Sequence, residues 1–258
     1  MVLTFNEEAN LRRTLEPLSW AREILIVDSG STDGTLRIAQ ETGRCRMVTR
    51  AFDSFARQCN FGLTQVATPW VLSLDADYVC DPGLAAELEK LDASEGCAGY
   101  AAAFRYVVLG QPLRASLYPP RTVLYRRDLA AYEDDGHSHR VKVRGATRVL
   151  RTMIHHDDRK PFSRWLAAQD RYAAQETEKL MSAAPGSLPW QDRARRLMLV
   201  APLLTAPYCL LWKKLLFDGW AGWYYTGQRV LAELILSLRL LEQRITPGPA
   251  EPPTLPPQ

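Results

Sequence analysis

The sequence predicts an α/β protein, a mostly parallel sheet flanked by helices, continued by a helical C-terminal appendage. Three observations carry this. Apolar runs ending in acids recur, at Ile24-Leu25-Ile26-Val27-Asp28 and at Trp70-Val71-Leu72-Ser73-Leu74-Asp75-Ala76-Asp77, as expected of buried parallel strands that deliver carboxylates to one edge. Stretches of helical period separate the runs, as in βαβ units. From Phe162 the chain turns helical, with a break at 185–189.

Taken in order, Met1-Val2-Leu3-Thr4-Phe5 reads as the tail of a strand. No secretory leader precedes it, and so short an opening strand predicts a few further residues before it. Asn6-Glu7-Glu8-Ala9-Asn10 leads into a helix with Leu11, Leu15 and Leu18 on one stripe, its acids favouring the positive dipole end. After the strand ending at Asp28, the turn-rich Ser29-Gly30-Ser31-Thr32-Asp33-Gly34 opens a helix at Thr35. A short strand follows at 46–49, then an amphipathic helix at 55–66 with Phe55, Cys59 and Leu63 on its inner stripe, then the Asp75 strand. Pro82 opens the next helix, to Leu91.

At 258 residues and 47% hydrophobic, the chain can bury one sizeable core plus an appendage. A formal charge of +3 gives no argument for a nucleic-acid partner. Five scattered cysteines without a CxxC read as reduced thiols rather than a disulfide frame or zinc site.

Side chains alternate along a strand, so Asp75 and Asp77 are expected on one face, with Ala76 on the other. Open α/β sheets bind ligands outside the carboxyl ends of their strands. Two carboxylates placed there call for a cation, a proton or a sugar hydroxyl between them. Mg²⁺ or Mn²⁺ suits such a pair when a diphosphate completes the ligand set. The ends at Thr4-Phe5-Asn6-Glu7, Asp28-Ser29 and Asp75-Ala76-Asp77 should therefore face a common pocket. Neither a GxxxxGK[ST] nor a GxGxxG loop is present, which removes support from kinase-like and dehydrogenase-like readings.

Thr4-Phe5-Asn6-Glu7, Val27-Asp28-Ser29-Gly30-Ser31-Thr32-Asp33-Gly34-Thr35 and Leu74-Asp75-Ala76-Asp77, in that order, resemble the family 2 glycosyltransferases of the GT-A fold. Within them the chain looks most like the bacterial lipopolysaccharide-core β-1,4-glucosyltransferase type. The resemblance implies a nucleotide-diphospho-sugar donor, usually UDP-linked, and a hexosyl transfer to a glycan or lipid-linked acceptor. It implies that Thr4, Phe5, Asn6 and Glu7 line the nucleoside site, Asp28 bonds the base, Asp75 approaches the ribose and Asp77 holds the metal. Arg57 and Asn60 fall where relatives place polar groups near the nucleotide. Domains are expected at 1–160 for the transferase, with a donor half to residue 95, at 161–245 for the helical region, and at 246–258 for a disordered Pro-rich tail.

Direct displacement with inversion needs one base to deprotonate the acceptor. The densest polar run, Glu133-Asp134-Asp135-Gly136-His137-Ser138-His139, lies near the family's acceptor-side acid motif. It departs from that motif, and the usual QxxRW is absent. Asp135 is the first candidate base, with Asp134 and His137 beside it. Ile154-His155-His156-Asp157-Asp158 is a second cluster, in which adjacent histidines on extended chain point apart and a diphosphate or acceptor contact is expected of one of them.

The run 197–212, interrupted by Pro202 and Pro207 and followed by Lys213-Lys214, is a poor membrane span. It fits a helix lying on anionic lipid, with Trp220, Trp223, Tyr224 and Tyr225 as an aromatic belt. A core helix hairpin is the alternative. The expected location is therefore cytoplasmic, peripheral on the cytosolic face of the inner membrane. Two other functions compete. Asp75-Ala76-Asp77-Tyr78-Val79 also fits the DxDx[TV] loop of haloacid-dehalogenase-like phosphatases, but those place it on the first strand. A non-catalytic nucleotide-sugar-binding scaffold is disfavoured by the intact acid motifs.

Overall fold

The computed structural model describes residues 1–91, 96–135, 138–184, 186 and 188–246. Its first half builds β1 (Val2–Thr4), α1 (Leu11–Leu15), β2 (Ile24–Asp28), α2 (Thr35–Glu41), β3 (Cys45–Thr49) and α3 (Phe55–Gln65). Then come β4 (Trp70–Leu72), β5 (Leu74–Asp75), β6 (Tyr78–Cys80) and α4 (Leu84–Glu89). β3, β2, β1 and β5 form a parallel sheet in that order. Every residue of β2 is buried, which explains its unbroken apolar run. Leu11, Leu15, Ile26, Ile38 and Leu74 join one core that α1 and α2 cover.

The run 70–79 departs from its expected form as one parallel strand. β4 pairs antiparallel with a later strand, and at Ser73 the chain changes partner. The Ser73 amide donates to Val123 O at 2.8 Å, and the Leu74 amide to Met1 O at 3.0 Å. Residues 76 and 77 form a turn, held by a 2.6 Å bond from the buried Thr14 hydroxyl to Ala76 O. Alternation therefore does not set the relation of Asp75 to Asp77. The turn does.

The second half contains β7 (Cys97–Ala102), β8 (Phe104–Val108), β9 (Gln111–Pro112), β10 (Arg121–Arg126), β11 (Ala130–Asp135), β12 (Ser138–Val143), β13 (Ala146–Val149) and β14 (Ile154–His156). A mixed sheet runs β13-β7-β10-β4, and a further group runs β6-β14-β8-β9. β11 and β12 form an antiparallel hairpin that packs on α3.

The helical region follows as α5 (Phe162–Ser182), α6 (Trp190–Arg195), α7 (Val200–Pro207) and α8 (Gly219–Ile245). A π turn at Tyr208–Trp212 and a 3₁₀ turn at Leu215–Asp218 link α7 to α8. Leu180, Leu188, Leu236 and Leu240 close an apolar seam between α5 and α8. Arg195, held at 2.8 Å by Glu233 and 3.4 Å by Asp192, ties α6 to α8 across it. Gly222 is required where α8 starts, since a Cβ there would overlap the Leu215 carbonyl.

Candidate functional site

Parallel pairing sets Thr4 opposite Asp28 and Leu3 opposite Asp75, so the expected strand ends do converge on one edge. Asp28 is completely buried. Its oxygens accept from the Thr4 hydroxyl at 2.8 Å, the Gly30 and Ser31 amides at 2.8 Å each, and the Ser31 hydroxyl. Gly30 at φ +92° lets the loop turn back onto that carboxylate. Asp28, predicted to bond a base, thus has its carboxylate oxygens engaged by the Thr4 hydroxyl and the 29–31 loop. Phe5, next in chain, is 52% exposed at the same edge. Asn6 adopts φ 56°, a left-handed conformation Asn tolerates. It locks the two loops, donating its amide to Ser31 Oγ and accepting from the Thr32 amide, both at 2.8 Å.

Glu7 is largely buried and bonds Lys160 Nζ at 2.7 Å and Asn10 Nδ2 at 2.9 Å. Burial pushes the Glu7 carboxyl above its ordinary value, with the Lys160 charge opposing. For Lys160, burial would lower the ammonium, but Glu7, Asp158 and Asp77 outweigh it and raise it. Arg57 is 73% exposed and, among the described residues, its side chain reaches only Asp53, at 3.5 Å. Asn60 exchanges two 2.9 Å bonds with the Tyr132 backbone, so it stands in for a strand partner and fastens α3 to β11.

Asp75 and Asp77 meet different surroundings. The Asp75 carboxylate makes no hydrogen bond or ion pair among the described residues, and Asp77 sits 3.3 Å from His156 Nε2. Burial would raise the Asp77 carboxyl, but the charge and hydrogen bond of His156 bring it below its usual range. Burial would lower the His156 imidazole, and Asp77 reverses this and raises it. β14 makes the contact possible, lying antiparallel to β6 with His156 opposite Tyr78. His155 faces away, 4.0 Å from Asp81. The following acids are structural: Asp157 pairs with Arg13 and Arg159, and Asp158 bonds Asn10 at 2.9 Å. Lys160 carried no sequence signal except its place just after this cluster.

Of the 133–139 run, the described side chains of Glu133 and Asp134 are engaged elsewhere. Asp134 Oδ1 accepts from the Ala56 amide in the first turn of α3, at 3.1 Å, and Glu133 is exposed and paired with Lys142. Asp135 pairs with Ser138 through the backbone, while its side chain and all of His137 lie outside the described residues. A cavity of about 380 Å³ joins Asp134 and Phe55 to Gln175, Lys179 and Ser182 of α5. None of Asp75, Asp77 or His156 lines it. Further along α5, Tyr172 lies near enough to Lys160, Asp75 and Asp77 for their charges to act on its phenol, so the helix crosses the carboxylate-bearing edge.

The parallel sheet, its polar edge and the acidic turn define the GT-A fold of nucleotide-diphospho-sugar transferases. A mannosyltransferase from Pyrobaculum calidifontis, solved with GDP-Man and Mn²⁺, shares it with a TM-score of 0.53 at 14% identity, over 93% of this chain and 85% of that one. The family model of glycosyl transferase family 2 matches residues 1–146, and the chain belongs to that family. It is 37% identical over 133 residues to the lipopolysaccharide core biosynthesis glycosyltransferase LpsC of Rhizobium meliloti (strain 1021), covering 50% of this chain and 47% of that protein. It is 33% identical over 95 residues to an uncharacterized glycosyltransferase of Rickettsia bellii (strain RML369-C), covering 36% and 32%. The chain thus spans about half or less of the curated relatives it matches.

Proposed function

We propose that the chain is an inverting hexosyltransferase of lipopolysaccharide synthesis, moving a sugar from a nucleotide-diphosphate donor, UDP-linked in the first instance, to a glycan or lipid-linked acceptor. The observation that carries this is the Asp77–His156 pair beside an unpartnered Asp75 at the carboxyl edge of the parallel sheet. Family membership and the similarity to LpsC support the reaction class. Phe5 offers an exposed face on which a base can stack.

The residues fit a divalent cation shared with a ligand. Among the described residues no group of three or more His, Cys, Asp or Glu is disposed to hold an ion. Asp77 and His156 would supply one oxygen and one nitrogen donor, a set Mn²⁺ accepts, leaving the rest to diphosphate and water. The cation, when bound, neutralises charge developing on the leaving diphosphate. Asp75 is placed for ribose or sugar hydroxyls. Asp135 remains the proposed acceptor base, supported by its place in the 133–139 run and by the Ala56 amide engaging its neighbour Asp134.

The test is a panel of nucleotide sugars with Mn²⁺ or Mg²⁺, following binding and slow donor hydrolysis, with Asp77→Asn alongside. Selective binding of one UDP-sugar, with hydrolysis reduced roughly 10²–10³-fold in the variant, is expected. Hydrolysis unchanged in Asp77→Asn and indifferent to EDTA would sink the metal reading.

Peripheral membrane contact on the cytosolic face is part of the same proposal. Leu199, Leu203, Leu211, Trp212, Trp220 and Trp223 are each more than half exposed along α7 and the start of α8. Tyr225 is an exception to the expected belt: it is buried against Tyr106, with ring centroids 5.5 Å apart. Among the described residues no single helix is long and apolar enough to cross a membrane, although Val200–Trp212 and Leu215–Ile245 pass together as a pair bent by 72°. A bent, one-sided apolar surface fits an interfacial seat. Co-sedimentation with phosphatidylglycerol vesicles, weakened by Leu203→Ser/Trp212→Ser, is expected. Wild-type protein left in the supernatant would rule the contact out.

A further inference from the structure

A row of rings leads away from the Asp77–His156 pair. His156 packs against Tyr106 with ring centroids 4.7 Å apart and planes tilted by 54°, and Tyr106 lies 5.7 Å from Tyr118. On the Tyr118 ring sit two guanidiniums, Arg121 at 5.7 Å and Arg229 at 5.8 Å from the centroid. These residues come from the loop before β10, the first residue of β10, and the middle of α8.

Among the described residues, neither arginine has an anion to itself. Arg121 makes no hydrogen bond or ion pair there, and Asp75, although near enough to act on it electrostatically, is not within ion-pairing distance. Arg229 reaches only Glu233, at 3.9 Å. The Glu233 oxygens are already held by Arg195 at 2.8 and 3.1 Å. Cation–π contact holds a guanidinium in place but leaves its charge uncancelled. Two such forks on one ring suit the several oxygens of a phosphate or carboxylate.

Strand order says which substrate brings the anion. From Asp28 on β2 the edge passes through Thr4 on β1 and Asp75 on β5. Beyond the turn it continues from β6 to His156 on β14 and Tyr106 on β8. The arginines therefore lie on the far side of Asp77 from the loops proposed for the nucleoside. We propose that Arg121, Tyr118 and Arg229 form a subsite for an anionic substituent, phosphate or carboxylate, on the acceptor sugar. This rests on the donor reading above.

The test titrates mannose 6-phosphate, inorganic phosphate and the neutral methyl mannoside into the full chain, with and without UDP and Mn²⁺. Wild type, Arg121→Gln, Arg121→Lys and Arg229→Gln are compared. Arg121 is at an exposed strand start, so its variants test the idea even if Arg229→Gln melts early. Expected is binding of both phosphate probes and not of the neutral sugar. It should weaken about tenfold in each Gln variant and recover in part with Lys, with UDP–Mn²⁺ affinity held within about twofold. No phosphate binding by wild type, or equal binding by Arg121→Gln, overturns the subsite. A matching tenfold loss of UDP–Mn²⁺ affinity assigns the arginines to the donor diphosphate and overturns it too. Phosphate binding by a chain that ignores every nucleotide sugar would instead leave the subsite standing and remove the donor reading.

Discussion

Residues 133–139 and residues 154–160 are both dense in acids and histidines, yet the structure uses the described side chains of the first, Glu133 and Asp134, unlike those of the second. In the first, Glu133 faces solvent beside Lys142, and Asp134 satisfies the Ala56 amide of the helix it packs on. In the second, nearly every charged side chain reaches another element: His156 to Asp77, Asp157 to Arg13, Asp158 to Asn10, Lys160 to Glu7. The difference is positional. The described acidic side chains of the hairpin, Glu133 and Asp134, meet solvent and α3, whereas β14 lies between β6 and β8 and its exit crosses the ends of β1 and α1. Polar density alone says nothing about convergence, which depends on how many elements a segment passes.

The largest effect that would break this contrast is on turnover. His156→Ala leaves Asp77 largely buried without its partner and removes a cation ligand from the proposed site. Donor hydrolysis is expected to fall roughly 10²-fold, and Mn²⁺ affinity in the presence of UDP by at least about tenfold. Glu133→Gln should change neither by more than about twofold, because an exposed pair contributes little. Steady-state hydrolysis and a Mn²⁺ titration of both variants decide the matter. If Glu133→Gln proved the more damaging, the assignment of the two runs would be reversed.

A smaller effect, on stability, tests the same segment. Lys160→Met leaves Glu7 buried without its cation, at a cost of about 2–3 kcal/mol at pH 7. The sign of the pH dependence follows from the shifts. Burial already raises the Glu7 carboxyl in the folded state, and without Lys160 it rises further. A carboxyl raised on folding favours the folded state at low pH, so the variant's deficit should shrink as pH falls through the Glu7 value. The Lys160 ammonium is raised, so its own contribution in wild type is complete at neutral pH and is lost only in strong alkali. Urea denaturation at neutral and mildly acidic pH measures both. A deficit that grew on acidification would contradict the buried pair.

The parallel half of the fold was legible chiefly through β2, which is buried on both faces and reads as an unbroken apolar run. The break at Ser73 was not, since it depends on amides that choose Val123 and Met1 as partners, and partner choice leaves no local mark. Site residues divide in the same way. Asp75 and Asp77 announced themselves through spacing. The bonds of Asp28 to the 29–31 loop and of Asn60 to Tyr132 appear only in a hydrogen-bond inventory. Tyr106, Tyr118 and Arg121 form no motif and Arg229 lies far along the chain, so only the fold brings them onto one ring cluster.

The smallest effect is the sharpest test of the 133–139 run. Asp134 accepts an amide in the first turn of α3, where a carboxylate both satisfies an orphan donor and meets the positive end of the helix dipole. Ser54 caps the same helix, accepting from the Arg57 amide, so the end is not left bare when Asp134 is removed. Asp134→Ala should therefore cost only about 1 kcal/mol in urea denaturation, with turnover changed by less than about threefold. Asp135→Ala, by contrast, should lower turnover roughly 10²–10⁴-fold if it deprotonates the acceptor. Were the two outcomes exchanged, with Asp134 essential to turnover and unimportant to folding, its bond to Ala56 would have to open during the reaction, and Asp134 would replace Asp135 as the acceptor base.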